Sequence, residues 1–330
     1  MKRNEGTAKG EKDMAKLTAV NRRGHVISAL LCLRLLCVVA RTESSELPPE
    51  LAMNYAAGRG GWIIVPLQLE GGEELRFVVD TGSPITFIDE SLAPKLGECA
   101  ATMMFHSSMG RQHSGVYLAP KLRLGGALLQ TDKYVATISC KRLSDYAHEQ
   151  IMGVLGVDCL RHYCVQLDFQ AGEMRFLGRD NVNSNEVGKS FPLMLLSRGQ
   201  RFPPIFAEAG QSDGRPFIQH AGLVEGKGTE LLIDTGDNVD GAVEQGALKG
   251  HYMTRFAHAV IETRALRLTK CIWDGQTYTK IKVGTAEDAN RLGLRFLARH
   301  LVTLDFPRKT MYLKQTSVGP LGSNAKLRRD

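Results

Sequence analysis

The tripeptide Asp-Thr-Gly occurs twice, each time closing an apolar run: Phe77-Val78-Val79-Asp80-Thr81-Gly82 and Leu231-Leu232-Ile233-Asp234-Thr235-Gly236. An apolar run that stops at Asp and Gly reads as a strand entering a tight turn. Such a turn presents its carboxylate at the strand end. Two carboxylates that face each other do not both ionise readily. They share one proton and can hold one water. A single copy would be a weak signal, because an Asp can simply cap a turn through local hydrogen bonds. Two copies 154 residues apart in matching contexts are a stronger one.

The context repeats as well. Val154-Leu155-Gly156-Val157-Asp158-Cys159-Leu160, then Val165-Gln166-Leu167-Asp168-Phe169 and Met174, follow the first tripeptide. Arg291-Leu292-Gly293-Leu294-Arg295-Phe296-Leu297, then Val302-Thr303-Leu304-Asp305-Phe306 and Met311, follow the second. From Gly to Leu to Leu-Asp-Phe to Met the spacings are identical. A gap-free match of this kind indicates a duplication into two lobes, since the unit is too long for a solenoid repeat.

At these residues the chain resembles the aspartic protease superfamily, the pepsin-like and retropepsin-like enzymes, over roughly residues 58–315. Its compact halves look closer to a fused pair of retropepsin-like units than to a pepsin. The resemblance implies an all-β, bilobal acid-protease-like fold: two homologous β-barrel-like lobes with the active-site cleft between them. It makes Asp80 and Asp234 the catalytic pair. One is protonated and one ionised; the ionised one activates a water against the scissile carbonyl and the other donates to the carbonyl oxygen.

Several supporting roles come with the resemblance. The hydroxyls of Thr81 and Thr235 cross to the opposite loop's backbone. Gly82 and Gly236 allow the tight turn and free amides to hold the carboxylates. Ser83 fits the position whose hydroxyl bonds the outer oxygen of its own Asp. Asp237 stands at the matching place in the second half, where the family has Ser, Thr or Ala. Near the pair its charge would raise the apparent pKa values; otherwise it faces solvent or pairs with a base. The apolar-Gly elements are Val154, Leu155 and Gly156, then Leu292 and Gly293, with Arg291 replacing an apolar residue. Flap candidates are His106, Ser107, Ser108 and Gly110, with no evident flap tyrosine.

The function so implied is an exported endopeptidase acting on peptides or unfolded protein. The expectation is a monomer, its two lobes forming an intramolecular pseudo-dimer, with no cofactor, metal or nucleic acid. The rival is a catalytically impaired protease-like protein that holds peptides without cutting them.

Composition fits that class. The formal charge of +7 comes largely from residues 1–40, which hold eight Lys/Arg and three Asp/Glu. The rest carries 34 basic and 32 acidic residues, which gives no footing for nucleic-acid binding. The histidines form no metal motif, and no Gly-rich phosphate loop or Gly-x-Ser-x-Gly element occurs. Arg22 and Arg23 precede an apolar run from Val26 to Ala40, broken by Arg34, which reads as a signal peptide with small residues Val38 and Ala40 before the cut. The alternative is an uncleaved tether. Five cysteines then remain, an odd number, so at least one stays free or pairs between chains.

The expected division is 1–40 signal peptide, 41–57 exposed leader, 58–180 first lobe, 181–189 linker, 190–315 second lobe and 316–330 basic tail. Strands are expected over 62–69, 75–79, 85–88, 122–124 and 134–138, and a long hairpin over 103–117. In the second half a strand and turn are expected over 223–228, and strands over 230–233, leading to Asp234, and over 265–269, 272–273 and 280–283. A short helix is expected over 286–292.

Overall fold

In the computed structural model the described residues are 46–70, 72–107, 110–178, 181–197, 202–211, 214–224, 227–244, 260–262, 265–286 and 289–322. All belong to one compact unit. The segment 1–40 expected as a signal peptide, the flap candidate Ser108 and the basic end Lys326, Arg328 and Arg329 lie outside them. Among the described residues no helix is long and apolar enough to cross a membrane.

The fold is all-β in class, with 48% strand and 13% helix in two sheets. The first half supplies β1 (Leu51–Ala52), β2 (Ile64–Leu69), β3 (Glu74–Val79), β4 (Phe87–Asp89), β5 (Ala101–Ser107) and β6 (Gly110–Leu118). It continues with β7 (Leu122–Leu124), β8 (Ala127–Leu128), β9 (Tyr134–Ile138), β10 (Gly153–Leu155), β11 (Cys164–Asp168) and β12 (Glu173–Leu177). The second half supplies β13 (Lys189–Leu196), β14 (Arg215–Val224), β15 (Lys227–Asp234), β16 (Gly241–Glu244) and β17 (Val260–Glu262). Then come β18 (Ala265–Trp273), β19 (Gln276–Ala286), β20 (Arg291–Gly293), β21 (His300–Asp305) and β22 (Thr310–Gln315).

One sheet runs β5-β6-β9-β4-β10-β3-β2-β7-β8. Within the other, the second half runs β17-β18-β19-β16-β20-β15-β14. From β5 to β2, order and sense agree with the seven strands of the second run: β10 lies parallel to β3 as β20 does to β15, and β4 lies parallel to β9 as β16 does to β19. A parallel pair at the centre of a sheet wants cover on both faces. β3 has it: Leu75, Phe77 and Val79 enter the main core, while Val78 enters a second cluster with Phe87, Phe105 and Tyr134. Phe206 from the second half joins that second cluster.

The halves are joined by β11 and β21, which pair antiparallel with Gln166 opposite Thr303. The Gln166 amide donates to Thr303 Oγ1 at 3.0 Å. The repeated Leu-Asp-Phe strands therefore lie against each other at the middle of the molecule, with Leu167 and Leu304 in the shared core.

Two local expectations need correction, and a third needs an addition. The segment 41–57, expected as an exposed leader, is exposed over much of its described part but tied to the fold: β1 pairs with β12, Met53 and Ala57 are buried, and the Asn54 side chain bonds Ile64 N and Trp62 O. An apolar face on a short strand finds an open sheet edge, and that outweighs its polar surroundings. The expected helix over 286–292 is replaced by β20, and the helix comes next, Leu294–Leu297. Leu292 and Gly293 are drawn into the ladder beside β15, which a helix would leave unpaired. The separate strands 265–269 and 272–273 are one, β18, because its ladder with β19 runs on past Lys270 and Cys271. Of the tail, residues 316–318 pack on the second half: Thr316 and Ser317 amides donate to Arg299 O at 2.8 and 3.0 Å.

Candidate active site

Each Asp-Thr-Gly stands at the end of a central strand, and the two turns meet. The meeting is fixed by four hydrogen bonds among buried groups. Thr81 Oγ1 donates to Ile233 O at 2.6 Å and accepts from Thr235 N at 3.1 Å. Thr235 Oγ1 donates to Val79 O at 2.8 Å and accepts from Thr81 N at 2.9 Å. Every hydroxyl here both gives and receives across the junction. Burial makes each bond costly to lose, because the backbone partner would have no water to turn to.

The glycines bring the carboxylates together. Gly82 N donates to Asp80 Oδ1 at 2.7 Å, and Gly236 N to Asp234 Oδ1 at 3.0 Å. A Cβ on Gly82 would stand 2.5 Å from Asp234 Oδ1, and one on Gly236 would stand 2.4 Å from Asp80 Cγ. Each glycine thus passes directly over the other half's carboxylate, and no larger residue fits. The two carboxyl groups stand close enough for the charge of Asp234 to oppose ionisation of Asp80.

Behind each turn sits the apolar-Gly element. Asp80 N donates to Leu155 O at 3.0 Å, and Val157 N to Ser83 O at 2.9 Å. In the second half Leu294 N donates to Asp237 O at 2.7 Å. A Cβ on Gly156 would stand 2.4 Å from Ile85 O, and one on Gly293 would stand 2.3 Å from Val239 O. These glycines let a four-residue helix start against the turn's backbone, over Val157–Leu160 and Leu294–Leu297.

The outer positions differ from expectation. Ser83 does not bond the outer oxygen of Asp80; its hydroxyl donates to Ile85 O at 2.7 Å. The buried carbonyl two residues on is a closer, fixed acceptor. At the matching place the Asp237 carboxylate accepts from Val239 N at 3.4 Å. Asp237 is part-buried beside Asp234. Burial first, then the Asp234 charge, push its carboxyl up to about 6, against the pull of Arg291. Burial first, then the Asp234 charge, push Asp80 up to about 7, with Gly82 N and Arg291 pulling the other way.

Two residues enter that sequence reasoning did not place. Arg291, read only as a departure from an apolar position, sends Nη1 to Asp234 Oδ2 at 2.8 Å. Trp62, read only as the start of a strand, donates Nε1 to Gly236 O at 2.8 Å, so the first half steadies the second turn. Its ring centroid lies 4.6 Å from that of Tyr146. A cation one residue before Leu-Gly in the repeat was a usable signal for the first. Nothing local marks the second.

Of the flap candidates, His106, Ser107 and Gly110 lie on the paired strands β5 and β6, where His106 pairs with Arg111 and Ser107 with Gly110. A cavity of about 580 Å³ lies beside the second turn, lined by Asn238, Val239, Arg59, Lys280, Lys282 and Arg295 among others. It reaches neither carboxylate. Cys99, Cys140, Cys159, Cys164 and Cys271 are free thiols. Among the described residues no three His, Cys, Asp or Glu gather to hold a metal ion.

Residues 65–159 match the family model described as aspartyl protease. That segment, less than a third of the chain, is similar to aspartyl proteases. The matched segment carries Asp80, its turn and the first apolar-Gly element. No curated protein matches the chain. The likeness to a protease is thus carried by the first half.

Proposed function

We propose that this protein is an exported aspartic endopeptidase, built as two tandem retropepsin-like lobes with one active site per chain. The reading rests on one observation above the rest: the reciprocal threonine bonds that hold Asp80 and Asp234 face to face. Equal strand order in the two halves supports the tandem lobes. A water held between the carboxylates is activated by the ionised one and attacks the peptide carbonyl. The protonated one donates to the carbonyl oxygen, and collapse releases the amine. No metal or nucleophilic side chain takes part. Substrates are extended peptides or unfolded protein, because the reaction needs a backbone laid between the lobes. Export rests on residues 1–40 alone.

Arg291 and Asp237 favour a second reading. They crowd the second carboxylate, as expected of a protein that holds peptides without cutting them. Incubation of the purified full chain with an unfolded protein, with and without a statine-type peptide inhibitor, separates the two. Inhibitor-sensitive cleavage is expected; peptide binding without cleavage would establish the rival. The mass of the mature N-terminus tests export.

A further inference from the structure

The two carboxylates sit in unequal surroundings, and one side chain makes the difference. Opposite Val78 in the parallel ladder of the first half stands Val154; opposite Leu232 in the second stands Arg291. Val154 is buried in an apolar cluster. The Arg291 side chain is 17% exposed, and the Asp234 side chain it pairs with is 6% exposed. Asp234 thus accepts from Gly236 N on Oδ1 and from a guanidinium on Oδ2. Both donors favour the carboxylate, and one carries a full charge in a site with little water to screen it. Asp80 accepts from Gly82 N on Oδ1 and faces Asp234. Among the described residues no cation pairs with Asp80.

We propose that Arg291 breaks the symmetry of the dyad: its guanidinium holds Asp234 as the carboxylate and leaves the shared proton on Asp80. The proposal rests on the hydrolytic reading of the pair, and it makes Arg291 a positioning residue. Asp234 is then the base. It takes a proton from water as the water oxygen bonds to the carbonyl carbon, while Asp80 gives its proton to the carbonyl oxygen. The neutral gem-diol collapses as the C–N bond breaks. Asp234 returns its proton to the leaving nitrogen and a gem-diol hydroxyl re-protonates Asp80, which restores the starting state.

Among the described residues the charged groups that face the pair are Arg291 from β20 and Asp237 from the turn after β15; β10 presents Val154 at this point. The upward shift of Asp80 agrees with a proton held there. Arg291 favours ionisation of both carboxyls, so loss of its charge raises both apparent pKa values. Both limbs of the pH profile then move toward alkali, by at least about one pH unit for a cation this close. A purely structural arginine would change activity or stability and leave the limbs in place.

The test uses the full chain with Arg291→Met and Arg291→Lys. kcat/KM is followed against pH on a peptide substrate. In parallel, 13C NMR follows the Asp carboxyl titrations, with Asp80→Asn and Asp234→Asn as assignments. Expected are an alkaline shift of both limbs in Arg291→Met, a smaller one in Arg291→Lys, and Asp234 ionising at lower pH than Asp80 in the unaltered chain. Limbs that stay put in a folded Arg291→Met, or Asp80 ionising first, would overturn the proposal. Should Arg291→Met fail to fold, the titration of the unaltered chain decides. If the chain cuts no peptide, Asp234 ionising first still upholds the assignment, and only the hydrolytic reading falls.

Discussion

The two aspartyl turns share a backbone and differ in what surrounds it. Both run Asp-Thr-Gly, both hold the carboxylate by the glycine amide, and both lean on a Gly that starts a short helix. Beneath the first turn the tie is Thr86 Oγ1 to Asp158 at 2.8 Å, a hydroxyl on a fully buried carboxyl. Beneath the second it is ionic: Asp240 takes Arg299 at 2.6 Å and Arg295 at 3.4 Å, with Arg299 fully buried. Position 158 matches position 295 in the repeat, so a buried acid in one half answers to a cation in the other. A charge also replaces a neutral side chain at two other matched places: Arg291 stands where the first half has Val154, and Asp237 where it has Ser83. Backbone and threonines carry the geometry; the outer side chains set the charge, and only the second half is charged in this way.

The largest effects should come from what the turns share. Asp80→Asn and Asp234→Asn should each lower kcat by at least about 10³-fold, since either carboxylate alone lacks its acid or base partner. Both variants should fold, as circular dichroism would show. Substantial turnover by both would remove the pair from the mechanism and make the common geometry irrelevant to it.

Next comes the buried polar tie, where the halves should part. Asp240→Ala strands Arg299 without its counter-charge and should cost about 3–5 kcal/mol of stability in urea unfolding. Asp158→Asn should cost only about 1 kcal/mol. Burial pushes the Asp158 carboxyl up to about 7, so on the acid side of that value it is already largely neutral. Equal losses would dissolve the contrast between a neutral and an ionic support.

Thr81→Val and Thr235→Val remove two bonds each from one lattice and leave its backbone groups buried. Each should cost about 2–4 kcal/mol, by a similar amount in the two halves. The double variant should lose less than the sum, because both hydroxyls serve the same junction. Full additivity would mean that the threonines act separately.

How much of this was legible in the sequence follows the same division. The turns, their strands and the first apolar-Gly element are set by local pattern: apolar runs, a Gly, identical spacings. The direction of a side chain is set by what stands across from it. Ser83 turns to the carbonyl of Ile85, which no spacing announces. Trp62 reaches a carbonyl 174 residues away. Arg291 was visible as an anomaly, but its partner is defined only once β20 lies beside β15. The helix placed over 286–292 failed for a related reason, since a three-residue strand inside a sheet owes its form to neighbours rather than to its own composition.

The smallest effect should come from Asp237. Its folded pKa of about 6 lies above the ordinary value, so it ionises as pH rises through that point, and its charge then opposes ionisation of the pair. Asp237→Ser should therefore move the alkaline limb of kcat/KM toward acid, by up to about one pH unit, or about 1.4 kcal/mol. This is opposite in sign to the loss of Arg291. Little change with added salt is expected for so enclosed a pair. A limb that stays put or moves toward alkali would show that the Asp237 charge does not reach the dyad.

The central claim is that Asp80 and Asp234 work as one pair. The direct measurement is hydrolysis of an unfolded protein across pH by the full chain, beside Asp80→Asn and Asp234→Asn. The account predicts cleavage by the unaltered chain, declining as pH rises through about 7 where Asp80 gives up its proton. It predicts none above background from either variant. Undiminished cleavage by either folded variant would contradict it.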